Sequence, residues 1–181
     1  MNLSRTALRR RFVGASLLLL LASAVQAQPL EAPNVVVIGP QRVTSGQPTP
    51  AALRELGRLG FQAVIYLAPF SMPDAVKDEP EILQRQGIQF IHIPIPFGKP
   101  EETHARAVSE ALTSLAGKKV LVHCQVNMRA SSMVFLNRVL AEREEPAQAY
   151  AAVSAVWSPQ GPWLALLRDQ LKKAGIGFEP Y

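Results

Sequence analysis

Short β-branched runs alternate along this chain with segments of helical periodicity, and this alternation limits the possible folds more than any other feature. The predicted strands cover residues 34–38, 61–67, 88–95 and 120–123. The predicted helices between them cover residues 49–60, 81–86 and 101–116. Parallel strands need such helical crossovers, so we predict an α/β fold with a mostly parallel central sheet and helices on both faces.

The last third of the chain is predicted to be helical, over residues 130–142, 146–157 and 162–173. Residues 42–47 show neither the helical nor the strand periodicity of apolar residues and are predicted to be an irregular link. The chain has 181 residues, of which 48% are hydrophobic and 18% charged, a composition typical of globular proteins. We therefore expect one domain over residues 28–181.

The first 27 residues have the layout of a secretory signal peptide. Residues 1–11 are basic, residues 12–24 are apolar, and Val25-Gln26-Ala27 places small residues at the −3 and −1 positions of a cleavage site. The apolar segment is shorter than the roughly 20 residues that a membrane-spanning helix needs. The sequence thus predicts a periplasmic or secreted protein without a membrane contact after cleavage, and an uncleaved anchor remains the alternative.

The charge distribution argues against a nucleic-acid partner. The formal net charge is +5, and four of the arginines lie within the first eleven residues, which leaves about +1 for the rest of the chain. The three histidines and the one cysteine are scattered along the sequence, so we predict no metal site, and no motif indicates a cofactor. The sequence leaves the oligomeric state open.

The segment that carries chemical information joins the predicted strand at Val120–His123 to the next helix. Cys124 follows the strand directly and Arg129 precedes the helix, in a region where sites of α/β sheets form. The unpaired amides of a helix N-terminus bind anions and favour the thiolate form of a nearby cysteine. A guanidinium group adds planar, bidentate donors for an oxyanion.

This segment resembles the signature loop of the cysteine-dependent phosphatases, in which His-Cys is followed by five residues and an arginine. Residues 44–49, Thr-Ser-Gly-Gln-Pro-Thr, the stretch from Gly60 to Leu67 and the Ile-Pro-Ile-Pro-Phe of residues 93–97 are similar to a small bacterial family. Its members are dual-specificity-phosphatase-like domains, some of them fused to NAD kinase-like or β-lactamase-like partners. The resemblance implies a cysteine-phosphatase-like fold.

The same resemblance implies the roles of the loop residues. Cys124 would attack phosphorus and form a thiophosphoryl enzyme, while Arg129 would hold the phosphoryl oxygens. The substrate would be a phosphorylated protein or small molecule. The substrate-binding residues implied by the loop are His123, Gln125, Val126, Asn127, Met128, Ala130 and Ser131.

The sequence departs from the phosphatase pattern in three places. Only four residues separate Cys124 from Arg129, a spacing that the small bacterial family shares. Asn127 stands where the family has a glycine, and asparagine tolerates left-handed backbone better than most residues. Ala130 takes the place of the usual hydroxyl residue after the arginine, with Ser131 one position later.

The general acid is not evident from the sequence. The two candidates are Asp74, on the loop after an earlier strand, and Glu101, just before a predicted helix. The neighbouring acids Asp78 and Glu79 are expected to belong to a solvated loop.

Two other functions fit the same loop. A rhodanese-like sulfurtransferase carrying a Cys124 persulfide has the same four-residue spacing. A non-catalytic anion-binding module would need no general acid.

Overall fold

The computed structural model describes residues 30–181, so the predicted signal peptide lies outside the described residues. The five strands are β1 Val36–Gly39, β2 Arg42–Ser45, β3 Ala63–Tyr66, β4 Gln89–His92 and β5 Val120–His123. The six helices are α1 Pro50–Glu55, α2 Glu79–Gln84, α3 Glu102–Ser114, α4 Met128–Leu140, α5 Pro146–Ser154 and α6 Gly161–Lys173. The predicted helical C-terminal third therefore corresponds to α4, α5 and α6.

The sheet has the order β1-β2-β5-β3-β4. Strand β1 pairs with β2 antiparallel, and the β2–β5, β5–β3 and β3–β4 pairs are all parallel. The mostly parallel sheet predicted from the sequence is confirmed. Strand β5 lies at its centre, between β2 and β3.

The prediction of an irregular link over residues 42–47 is wrong, because its first four residues form β2. This strand carries only one strongly apolar residue, Val43, so its local pattern is weak. Its conformation comes from long-range pairing, since Val43 lies opposite Val37 of β1 and Leu121 of β5. Tertiary pairing of this kind commonly overrides local β-propensity.

Two apolar clusters cover the two faces of the sheet. On one face, Leu53 and Leu56 from the α1 segment and Leu83 of α2 pack against the row formed by Val64 and Leu121. On the other face, helices α3 to α6 pack against alternate residues of β3 and β5. Helix α4 is buried from Arg129 to Val139, so the segment that follows β5 is enclosed by the core. Helices on both faces are thus confirmed.

The parallel strands all end at the same edge of the sheet. In register, Ser45 of β2 and Tyr66 of β3 both lie beside His123, the last residue of β5, and Tyr66 also lies beside His92 of β4. Ligand sites of open α/β sheets form beyond such carboxyl ends. Among residues 30–181, no helix combines the length and apolar character needed to cross a membrane.

Replacing Leu121 with alanine tests the central position of β5. Leu121 is fully buried, and the cavity left by Leu121→Ala should lower the free energy of unfolding by about 2–5 kcal/mol in urea denaturation. The matched control is Val37→Ala on the edge strand β1, where the side chain is 70% exposed, and its effect should stay within about 0.5 kcal/mol. Equal effects of the two substitutions would contradict this arrangement.

Candidate active site

Residues 124–129 form a short loop between the end of β5 and the start of α4. Cys124 is fully buried, and its backbone N–H donates to the carbonyl of Ser45 at 3.2 Å. This bond extends the pairing of β2 with β5 by one residue. The cysteine is therefore held at the edge of the sheet by the neighbouring strand as well as by its own.

The link between β2 and α1 supports the outside of this loop. The N–H of Gln47 donates to the carbonyl of Gln125 at 3.0 Å, and Gly46 forms an isolated β-bridge with Val126. A Cβ atom at Gly46 would lie 2.7 Å from the Gln125 oxygen and 2.8 Å from Cβ of Pro33. Only glycine allows this close approach, which explains its place in the motif of residues 44–49.

Asn127 makes the turn that brings the loop into α4. Its φ of 70° and ψ of −2° are left-handed, as expected for the residue that replaces the family's glycine. Its buried side-chain amide donates to the carbonyl of Asn34 at 2.6 Å and to Oγ1 of Thr44 at 3.1 Å. The amide of Asn34 in turn donates to the carbonyl of Val126 at 3.0 Å. A glycine could adopt this turn but could not tie it to the N-terminal segment.

Arg129 is buried, and the segment after β4 holds its guanidinium group in one orientation. Its Nε donates to the carbonyl of Ile95 at 2.9 Å, and its guanidinium carbon lies 5.1 Å from the centre of the Phe97 ring. Phe97 packs against Trp157 and Trp163, and the Trp163 indole N–H donates to the Phe97 carbonyl at 2.8 Å. Among residues 30–181, no protein acceptor bonds the two terminal nitrogens of Arg129. These two nitrogens remain free to bind an anion.

The first turn of α4 offers further donors. Since the helix begins at Met128, the N–H groups of Met128, Arg129 and Ala130 have no helical acceptor, and none bonds them elsewhere in the described chain. The N–H of Ser131 donates to the carbonyl of Asn127 at 2.9 Å, and its hydroxyl donates to the carbonyl of Met128 at 3.3 Å. The Ser131 hydroxyl is thus used within the turn, whereas the three amides are available to an oxyanion.

Glu79 corrects the expectation that the acids of this region are solvated. It is fully buried, and one carboxylate oxygen lies 2.7 Å from Nε2 of the fully buried His123. The other oxygen accepts from Nε2 of Gln47 at 2.9 Å. Sequence reasoning missed this residue, although Ile82 and Leu83, three and four residues later, place it on the buried face of α2.

Asp74 lies exposed on the loop after β3, beyond the carboxyl end of that strand. Burial raises the pKa of the Tyr66 hydroxyl, and the charges of Glu79, Asp74 and Cys124 raise it further. Tyr66 also stacks on the ring of His123, with 4.7 Å between the ring centres. The Asp74 carboxylate therefore lies within electrostatic range of the residue that stacks on His123, directly before the loop.

Glu101 lies in a different setting, at the N-terminus of α3. It forms an exposed ion pair with Lys99 at 3.1 Å and takes part in a capping box with His104. The hydrogen bond from Lys99 and the charge of that lysine lower the pKa of Glu101. A carboxyl group that must donate a proton needs the opposite shift, so this lowered pKa argues against Glu101 as the general acid.

These contacts combine a thiol, a guanidinium group and unpaired amides around one short loop. The thiol can act as a nucleophile, while the guanidinium and the amides can hold an oxyanion. Among residues 30–181, no group of three or more His, Cys, Asp or Glu side chains is arranged to hold a metal ion. The donor set is suited to an anionic group rather than a cation.

No protein-family profile and no curated protein sequence matches this chain, whereas solved structures do. The chain is similar to a candidate phosphatase of domain family DUF442 from Shewanella putrefaciens CN-32, with 28% identity, a TM-score of 0.72, and coverage of 82% of this chain and 94% of that one. It has the fold of the cysteine-dependent phosphatases. The sequence-based prediction of a cysteine-phosphatase-like fold is thus confirmed.

Two more distant structures share the cysteine-phosphatase fold alone. The active form of Tk-PTP is 21% identical, with a TM-score of 0.65 and coverage of 78% of this chain and 98% of that one. Human DUSP28 is 14% identical, with a TM-score of 0.61 and coverage of 79% and 96%. These two structures support the fold, and the similarity to the DUF442 protein supports the general class of phosphatase hydrolases.

Two substitutions at Asn127 separate the backbone requirement of the loop from its side-chain bonds. Asn127→Gly and Asn127→Ala both lose the bonds to Asn34 and Thr44, which together stabilise the fold by about 1–3 kcal/mol. Only alanine meets a further penalty of about 1–2 kcal/mol in left-handed backbone. Urea denaturation should therefore rank stability as wild type, then glycine, then alanine. An alanine variant as stable as the glycine variant would contradict the left-handed turn.

Proposed function

We propose that this protein is an exported, cysteine-dependent phosphatase that hydrolyses phosphate monoesters through a thiophosphoryl-cysteine intermediate. One observation carries the proposal: a single short loop begins with the buried Cys124 and ends at Arg129, in the first turn of α4. The carbonyl of Ile95 orients the guanidinium group of this arginine. A nucleophile and an oxyanion site are thereby built on the same six residues. The phosphatase neighbours support the same class of reaction.

In the first step, the Cys124 thiolate forms an S–P bond while the P–O bond to the leaving group breaks. Arg129 and the amides of the loop and first helical turn hold the three equatorial oxygens as charge develops on them. Asp74 gives its proton to the departing oxygen. Water then attacks phosphorus, the S–P bond breaks, inorganic phosphate leaves, and Asp74 regains a proton from the attacking water.

The proposal also covers the location of the protein and the bacterial group of phosphatase-like domains to which it belongs. The tripartite pattern of residues 1–27 supports export to the periplasm or beyond. The motif of residues 44–49 supports membership in the bacterial group whose domains are found fused to NAD kinase-like or β-lactamase-like partners. Within this chain, the motif supplies Gly46 and Gln47, which contact the signature loop directly.

A sulfurtransferase remains the second candidate because the four-residue spacing between Cys124 and Arg129 also suits a persulfide. Thiosulfate treatment followed by mass spectrometry separates the two. A sulfur atom added to Cys124, without phosphate release from any ester, would favour the sulfurtransferase. Phosphate binding without turnover or added sulfur would favour the non-catalytic anion-binding module.

The decisive variant is Cys124→Ser, which keeps the size of the side chain and removes the thiol. We expect the release of phosphate from an aryl phosphate to fall by at least about 10⁴-fold, because the loop amides alone cannot replace the nucleophile. The measurement compares purified wild type and variant under reducing conditions, with urea denaturation as the control for folding. Activity that survives this substitution would exclude the proposed intermediate.

Asp74→Asn and Glu101→Gln test which carboxyl group is the acid. Acid catalysis matters most for poor leaving groups, so Asp74→Asn should lower kcat/KM for an alkyl phosphate by about 10²–10⁴-fold and for a nitrophenyl phosphate by less than about tenfold. Glu101→Gln should change neither rate by more than about twofold, since Glu101 caps α3 and pairs with Lys99. The reverse pattern would assign the role to Glu101.

A further inference from the structure

Glu79 is a fully buried carboxylate to which the proposed reaction assigns no step. It is the first residue of α2 and shares a buried face of that helix with Ile82 and Leu83. A carboxylate in such a place is costly unless charged or polar partners satisfy it. The partners that satisfy it therefore indicate what it does.

Both carboxylate oxygens of Glu79 have partners that belong to the candidate site. Oε1 lies 2.7 Å from Nε2 of His123, the residue directly before the proposed nucleophile. Oε2 accepts from the side chain of Gln47 at 2.9 Å, and the backbone N–H of that glutamine donates to the loop carbonyl of Gln125. Glu79 thus joins the residue before Cys124 to the segment that supports the loop from outside.

The ring of His123 is held on its face as well as at its edge. Tyr66 stacks on it with 4.7 Å between ring centres and an angle of 21° between the planes, and His92 stacks on the other side of Tyr66 at 5.3 Å. Nδ1 of His123 is buried, and no group in residues 30–181 bonds it. Stacking fixes the plane of the ring, and the hydrogen bond to Glu79 fixes the direction in which Nε2 points within that plane.

A carboxylate that accepts at both oxygens requires the proton of the bonded histidine to lie on Nε2. In the neutral ring, this places the lone pair on Nδ1. The carboxylate therefore selects one tautomer in addition to one orientation, as the aspartate of a Ser-His-Asp triad does for its histidine. Here the histidine precedes the nucleophile in the chain, so its orientation affects how β5 enters the loop.

We propose that Glu79 is a positioning residue that holds His123 in its Nε2–H form and in a single orientation. The effect on catalysis rests on the proposed phosphatase function, whereas the Glu79–His123 link does not. A carboxylate on α2 thereby acts on Cys124 through the intervening histidine.

Nitrogen NMR of the histidine rings tests the link in the wild-type protein. The chain has three histidines, His92, His104 and His123, so three sets of ring signals are expected and can be assigned by substitution. The proposal requires a proton on Nε2 of His123 in the folded protein from acidic to neutral pH. A neutral His123 ring that carries its proton on Nδ1 would overturn the proposal without any variant at Glu79.

Two variants at Glu79 and one matched control test the effect on catalysis. Glu79→Leu removes the acceptor, so His123 should lose its fixed tautomer. We expect kcat to fall by at least about tenfold and by no more than about 10⁴-fold, the loss seen when a catalytic triad loses the carboxylate that fixes its histidine tautomer. Glu79→Gln keeps an acceptor oxygen and should restore both properties in part. Gln47→Met removes the other hydrogen bond of Glu79 and should leave the His123 tautomer unchanged.

The outcomes separate this proposal from the proposed function. If Cys124→Ser retains activity while His123 carries its proton on Nε2, the phosphatase function fails and the Glu79–His123 link stands. If the wild-type protein is a Cys124-dependent phosphatase whose His123 is the Nδ1–H form, the link fails and the function stands. A Glu79→Leu variant that folds and keeps both the wild-type tautomer and the wild-type kcat would also overturn the link.

Discussion

The parallel pairing of β5 between β2 and β3 is the constraint on which the candidate site depends. It places the end of β5 beside the ends of β2 and β3. The segment after β4 reaches the same place because Ile95 N–H donates to the carbonyl of Leu67, just beyond β3. The segment after β2 supplies Gly46 and Gln47 as supports, and the segment after β4 supplies the Ile95 carbonyl that orients Arg129. Residues far apart in sequence thus form a single loop environment because the strands share one direction.

The loop itself combines an unfavourable backbone with compensating contacts. A short connection into a fully buried helix requires a left-handed residue, and Asn127 meets the requirement with a side chain that also bonds Asn34 and Thr44. The close approach of Gly46 to the Gln125 carbonyl and to Pro33 likewise leaves no room for a side chain at position 46. Loop shape is thereby determined by contacts from outside, which leaves the amides of the first helical turn without protein acceptors and available to an anion.

Much of this arrangement could be predicted from the sequence, because strongly apolar strands and helices with clear caps have local patterns. The mostly parallel sheet belongs to this class. The left-handed turn at Asn127 was expected instead from the resemblance to the cysteine-dependent phosphatases, which have a glycine at that place. Strand β2 could not be predicted in either way, since its short, half-polar sequence becomes a strand only by pairing with two others. Glu79 was missed for a related reason: a glutamate is expected in water, and the histidine that satisfies it lies 44 residues away in the chain.

The placement of Glu79 raises an electrostatic question that its partners answer. A buried carboxylate in contact with the residue before the proposed nucleophile would repel an incoming phosphate in a medium of low polarity if it were unpaired. His123 and Gln47 occupy both of its oxygens, and Tyr66 covers the ring of that histidine. Each carboxylate oxygen of Glu79 therefore has a hydrogen-bond partner, whereas the terminal nitrogens of Arg129 have no acceptor within residues 30–181. A buried acid can thus order a site for anions when each of its oxygens is bonded to a donor that belongs to the same site.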